Sequence, residues 1–207
     1  MQVLQRFGLA SLLLFLSACG SEAPEPAPGV TLPLEMPAVL DNFASTYDAE
    51  IWLRRQATLE SPGLEAGLHD LDEAVRAEAL QGFKEARILT LIERAQSNHM
   101  VIVTLLKWDS HAAALRYVDA ERLAMAAKDG NQGVESAEYR DVMKDDLTGF
   151  ISDKELRDMF GPYGAKSAVV ARGATLVEVT ILAEVVTDDA LLEKARGLLG
   201  ALGVPAP

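Results

Sequence analysis

The sequence holds a single cysteine, Cys19, in 207 residues. No disulfide can form within the chain, and no zinc or iron–sulfur site built on several thiolates is available. Its three histidines, His69, His99 and His111, are never four residues apart, so the His-Glu-x-x-His zinc arrangement is missing. Positive charge is also scarce. Nineteen basic residues face 31 acidic ones, for a net charge of -12. Such a surface repels phosphate backbones and anionic headgroups, which argues against nucleic acid as a partner and against flat docking on a membrane. Aromatic residues make up only 6%, few for a carbohydrate surface built from exposed rings. The N-terminal apolar run, Phe7 to Leu16, is about half the roughly 20 residues that a membrane-spanning helix needs.

What is present is the composition of a protein with a real core: 49% of residues are apolar and 24% charged. The N-terminus has its one side-chain charge, Arg6, ahead of the apolar run, which has the length of a signal-peptide core. Leu16-Ser17-Ala18-Cys19 then resembles the lipobox of bacterial lipoproteins at all four positions. That resemblance implies diacylglycerol on the Cys19 thiol, cleavage before Cys19, and acylation of the new amino group. Each buried methylene contributes about 0.8 kcal/mol, so two or three chains anchor firmly where one does not. Gly20 differs from the Asp that, in Gram-negative lipoproteins, resembles an inner-membrane retention signal. The expectation is a protein anchored through Cys19 in the outer membrane and facing the periplasm.

The expected organisation is a signal peptide over 1–18, a lipidated cysteine and proline-rich tether over 19–37, and one α+β globular domain over 38–207. Five of the nine prolines fall between Ser21 and Pro37, which predicts an extended spacer. Helical spacing of Val39, Leu40, Phe43, Tyr47, Ile51 and Leu59 predicts a helix over 38–59. A second helix is predicted over 70–81, capped by Asp70 with Glu73 and ended by Gly82. Two β-branched runs, 86–93 and 100–108, read as a hairpin. A long alanine-rich helix follows to about Lys128. Residues 129–151 read as an irregular crossing, and Ser152-Asp153-Lys154-Glu155 as the start of a short helix. Residues 167–171 and 175–184 form a second hairpin, and Thr187 caps a last helix. The fold class is therefore α+β: an antiparallel sheet built from two hairpin–helix units, with the N-terminal helices packed on it.

Chemical motifs are tested and set aside. Gly161 to Ser167, GPYGAKS, resembles a phosphate loop only at Lys166 and Ser167, and it should open a strand rather than a helix. Asp129 to Glu135 imitates a calcium loop, but its sixth position is Val134 and its twelfth Arg140. His69 with Asp70 and Asp72 reads as loop and cap residues rather than a metal site. Asp145-Asp146 is a carboxylate pair whose use depends on geometry. Trp52-Leu53-Arg54-Arg55 is the one concentrated basic patch. It reads as a solvated helix turn, or as a docking point for an anionic partner. No catalytic, cofactor or metal residue is assigned. The expected function is a non-catalytic, membrane-anchored module that binds an envelope protein or component. The alternatives are a small-ligand carrier with a pocket between sheet and helices, and an envelope enzyme with a scattered carboxylate and histidine site.

Overall fold

Strands rich in valine, leucine and isoleucine on both faces demand cover on both faces, and the computed structural model provides it. The structure describes residues 33–129, 134–144, 146–158 and 161–205; Cys19, the expected signal segment and most of the expected tether lie outside them. In chain order the elements are α1 (Met36–Ser45), β1 (Trp52–Thr58), α2 (Ser61–Gly67), α3 (Glu73–Leu80), β2 (Phe83–Glu93), β3 (Met100–Trp108), α4 (His111–Asp129), β4 (Val134–Lys144), β5 (Leu147–Asp158), β6 (Gly161–Arg172), β7 (Thr175–Leu182) and α5 (Asp188–Ala201). The strands form one antiparallel sheet in the order β1-β2-β3-β7-β6-β5-β4.

Alternation along each strand splits the core into two layers. Val101, Val103 and Leu105 of β3 and Val177, Val179 and Ile181 of β7 point to α1 and α5, where Leu40, Leu191, Ala195 and Leu199 meet them. Leu106, Trp108, Val169, Ala171 and Leu176 point the other way, to Leu64, Leu68, Ala79 and the Ala113, Ala114, Tyr117 and Ala124 stripe of α4. Each fully buried valine, leucine or isoleucine among them contributes about 1.5–3 kcal/mol before its ordering entropy is subtracted. Between α3 and β2, Gly82 adopts a φ of +84°, and a Cβ there would strike the Asp109 carboxylate. The Thr187 hydroxyl accepts from the Ala190 N–H at 3.2 Å and caps α5 as the sequence predicts. At the β4–β5 turn Asp146 pairs with Arg172 of β6, and both side chains are almost wholly buried.

The mixed α+β class and the antiparallel sheet hold, and the hairpins over β2–β3 and β6–β7 are present. The two-unit description does not organise the sheet, because β1, β4 and β5 lie outside both hairpins and helices cover both faces. The helix predicted over 38–59 ends at Ser45, and residues 52–58 are strand. Here the exposed alternation of an edge strand imitates a helical stripe. Residues 33–37, read as tether, belong to the fold: Met36 is 5% exposed and the Leu34 N–H donates to the Ala201 carbonyl at 3.0 Å. The short helix at Ser152 is also corrected. Ser152 lies within β5, paired with Tyr139 on one side and Ser167 on the other. Sheet pairing on both edges overrides the capping-box pattern there.

Gly149 of β5 lies so close to β6 that a Cβ would collide with the Val169 carbonyl oxygen and the Val170 backbone. We expect Gly149→Ala to cost about 1–3 kcal/mol and to lower the thermal midpoint by several degrees in a circular-dichroism melt. Gly164→Ala, where an added Cβ meets nothing within 4 Å, should melt as the parent does.

Candidate functional site

The most ordered group of charges gathers where α5 begins. Three strands bring Arg140 (β4), Asp153 (β5) and Lys166 (β6) to one face of the sheet, and Asp188 meets them from the first turn of α5. The Arg140 guanidinium donates to both Asp188 carboxylate oxygens at 3.0 Å. It also reaches Asp153 at 3.5 Å and Glu138 at 3.1 Å. Lys166 bridges Asp153 and Asp188 at 3.0 Å each. The positive end of the helix dipole adds to the field on Asp188.

These contacts move each proton equilibrium away from neutrality. The hydrogen bonds from Arg140 hold the Asp188 carboxyl below its usual value against the opposing effect of burial, and Lys166 adds to the lowering. Burial alone would lower the Lys166 ammonium, but its bonds to Asp153 and Asp188 outweigh that and hold it above its usual value. Arg140 is raised chiefly by its bonds to Asp188. Two cations answer three carboxylates, and none of the shifted groups is poised to exchange a proton near pH 7. The arrangement braces β4, β5 and β6 against α5.

Beside it opens a polar cleft of about 510 Å3, lined by Glu138, Asp153, Glu155, Pro162 and Tyr163 among others. On the opposite face a row of hydroxyls crosses the sheet. The Ser167 and Thr180 side chains lie 2.8 Å apart, and Ser152 is fully buried with its Oγ unpartnered. Next to this row, burial above all pushes the Tyr117 phenol well up, and the charges of Glu121 and Glu178 push it further.

The candidates read from the sequence scatter. His69 lies beside Asp70 at 3.1 Å, and its ring Nδ1 contacts the Ala66 carbonyl at 2.9 Å, as a loop residue would. His111 opens α4, its Nδ1 2.8 Å from the Gly173 carbonyl. His99 is enclosed more closely: Nδ1 pairs with Glu93, Nε2 lies 3.7 Å from Glu184, and the ring packs 5.3 Å from Trp52. Tyr47 packs on the same indole at 5.3 Å, its phenol raised by burial and then by Glu184. Among the described residues no three acidic, histidine or cysteine side chains gather as metal ligands would. The imitation phosphate loop is strand: Lys166 joins the charge group and Ser167 the hydroxyl row. Residues 130–133 of the imitation calcium loop, Asp145 and Cys19 lie outside the described residues. Arg54 and Arg55 stand on an edge strand, not a helix turn. Sequence reasoning missed the Arg140–Asp153–Lys166–Asp188 group, whose only local signal is Asp188 in the first turn after a good cap.

The fold defines the class: an α+β domain whose single antiparallel sheet is covered by helices on both faces. No protein-family profile matches the chain, and no curated protein matches it. Solved structures that match include the extracellular domain of PknH from Mycobacterium tuberculosis. Its TM-score is 0.51 at 12% identity, over 83% of this chain and 92% of that one. An uncharacterized protein from Mycobacterium smegmatis, the Rv0999 ortholog, gives a TM-score of 0.42 at 10% identity, over 82% and 96% of the two chains. What the chain shares with the PknH domain is the fold.

Asp188→Asn tests the brace. A carboxyl held below its unfolded value near 3.9 stabilises the fold above that value and ceases to as pH falls through its lowered folded value. The pair is half-exposed, so its contribution at pH 7 is about 1 kcal/mol or less. Urea unfolding from pH 7 to pH 3 should show a lower midpoint for Asp188→Asn at neutrality and a shallower loss below about pH 4. An acid limb as steep as the parent's would remove Asp188 from this role.

Proposed function

We propose that this chain is a lipid-anchored protein of the cell envelope whose folded domain is a non-catalytic binding module. The observation that carries the reading is the complete Leu16-Ser17-Ala18-Cys19 match behind a short apolar run, followed by proline-rich chain. Cys19 is the attachment point, and the outer membrane facing the periplasm is the address. Among the described residues no helix is long and apolar enough to cross a membrane. A fold shared with a domain named as extracellular is compatible with this address. The group around Asp188 gives no support to catalysis, because its members are committed to one another and its shifted protons are held away from pH 7.

A second reading, a carrier of a small polar ligand, is favoured by the open cleft beside Glu138 and Asp153. Its lining sets three carboxylates beside Lys154, and two of them, Glu138 and Asp153, are already paired with Arg140 and Lys166, so it would suit a small polar ligand rather than an apolar one.

Cys19→Ala tests the anchor. The parent protein should fractionate with membranes and incorporate labelled palmitate, and the variant should do neither and accumulate in precursor form. Continued membrane association and labelling of Cys19→Ala would overturn the reading.

A further inference from the structure

The free edge of the sheet at β1 carries a feature that the acidic composition hides. β1 pairs only with β2, and its residues from Arg54 to Thr58 are all exposed. The Arg94 N–H donates to the Ile51 carbonyl at 2.9 Å and the Leu59 N–H to the Ala86 carbonyl at 3.0 Å. These two bonds fix the alternation of the ladder. Leu53, Arg55 and Ala57 turn their backbone groups to β2, while Arg54, Gln56 and Thr58 turn theirs outward. The Trp52 N–H is already taken by the Asp48 carbonyl at 2.8 Å. An extended stretch from Arg54 to Thr58 is therefore left with unanswered donors and acceptors.

The charge along this edge is unusual for the molecule. Arg76, Arg87, Arg122, Arg140 and Arg172 each pair with a carboxylate. Arg54, Arg55 and Arg94 form no ion pair among the described residues, and all three lie on or beside β1. Arg54 faces Leu91 and Arg55 faces Thr90 across the ladder, so the two guanidiniums leave the sheet on opposite faces. Beyond them lie the half-buried Trp52 and Leu53, and then Ile51, 47% exposed.

We propose that the β1 edge is a docking site for an acidic, extended peptide segment of a partner protein, which adds to the sheet as an antiparallel eighth strand. Backbone bonds to Arg54, Gln56 and Thr58 supply the pairing, and side chains opposite β1 supply the choice. Read from its N-terminus, the segment places two acidic residues opposite Arg55 and Arg54, one on each face. Apolar residues then lie opposite Leu53 and Trp52. The adjacent arginines repel the same edge on a second copy, so the charge that admits this partner also keeps copies apart. The edge strand β4 offers no equivalent, since Arg140, Asp141 and Lys144 are already paired. The inference rests on the reading of the domain as a binding module and names the kind of partner.

The test uses the folded protein and a short synthetic peptide with two adjacent glutamates followed by two valines, flanked by threonines. Amide hydrogen exchange of the unmodified protein should show new protection at Arg54 and Gln56 when the peptide is added. Leu53 and Arg55, already bonded to β2, should change little. Charge reversal at both arginines, Arg54→Glu with Arg55→Glu, should weaken binding about tenfold. Gln56→Pro removes the outward donor together with the side-chain bond and should weaken binding by a similar factor. Gln56→Ala, which loses only the side-chain bond to the Pro37 carbonyl, should bind as the parent does. Equal binding of a peptide with lysines in place of the glutamates would overturn the proposal, as would unchanged exchange at Arg54 and Gln56. Association of the protein with itself through β1 in sedimentation would overturn it too, assigning the edge to a second copy. None of these outcomes bears on membrane labelling through Cys19, so the anchor stands or falls separately.

Discussion

Burial of an antiparallel sheet on both faces is the constraint on which the rest of the molecule depends. Antiparallel sheets commonly leave one face to water. Here β3 and β7, side by side at the centre, carry large apolar side chains in both directions. One layer of helices cannot satisfy them. α1 and α5 close one face and α2, α3 and α4 the other, although the two sets come from both ends and the middle of the chain. The need to bring α5 back onto β6 and β7 places its first turn over charged residues midway along β4, β5 and β6. The group around Asp188 is thus a consequence of covering the core.

Charge is distributed by a related logic. On a chain with so few cations, most described arginines are committed to a neighbour that holds two elements together, as Arg172 holds the β4–β5 turn and Arg140 holds α5. Three arginines without such a duty, Arg54, Arg55 and Arg94, lie together on or beside β1 and stand out against an acidic background. Electrostatics of this kind governs which partner approaches and in what register more than how tightly it is held.

The sequence was legible where a period is strong and unopposed. The β2–β3 hairpin, α4, the β6–β7 hairpin and the Thr187 cap all follow from spacing and capping chemistry. It misled where an edge or a long hairpin carries charge. β1 has one apolar pair, Trp52 and Leu53, and then only polar or small residues, so its neighbourhood fitted a helical stripe. In β5 the run Asp153-Lys154-Glu155 looks like a helix start. Asp153 is in fact drawn to Arg140 and Lys166, and pairing on both sides fixes it as strand. The charge group was illegible because its members come from four elements, each of which reads alone as a solvated side chain. The hydroxyl row was illegible for the same reason: Ser152, Ser167 and Thr180 become neighbours only through register.

The strand order also separates the sheet into two stretches that are contiguous in sequence, β1 to β3 and β4 to β7, joined at a single seam. Within each stretch, strands pair with their neighbours in the chain. Only the seam, running from Lys107 beside Thr175 to Met100 beside Leu182, joins distant parts. Loop-closure entropy weighs most on that step. The sheet is therefore two stretches of sequence-adjacent strands held together along one seam. Whatever opens the seam exposes the apolar faces of β3 and β7 together, and the integrity of the whole domain is set where its two halves touch.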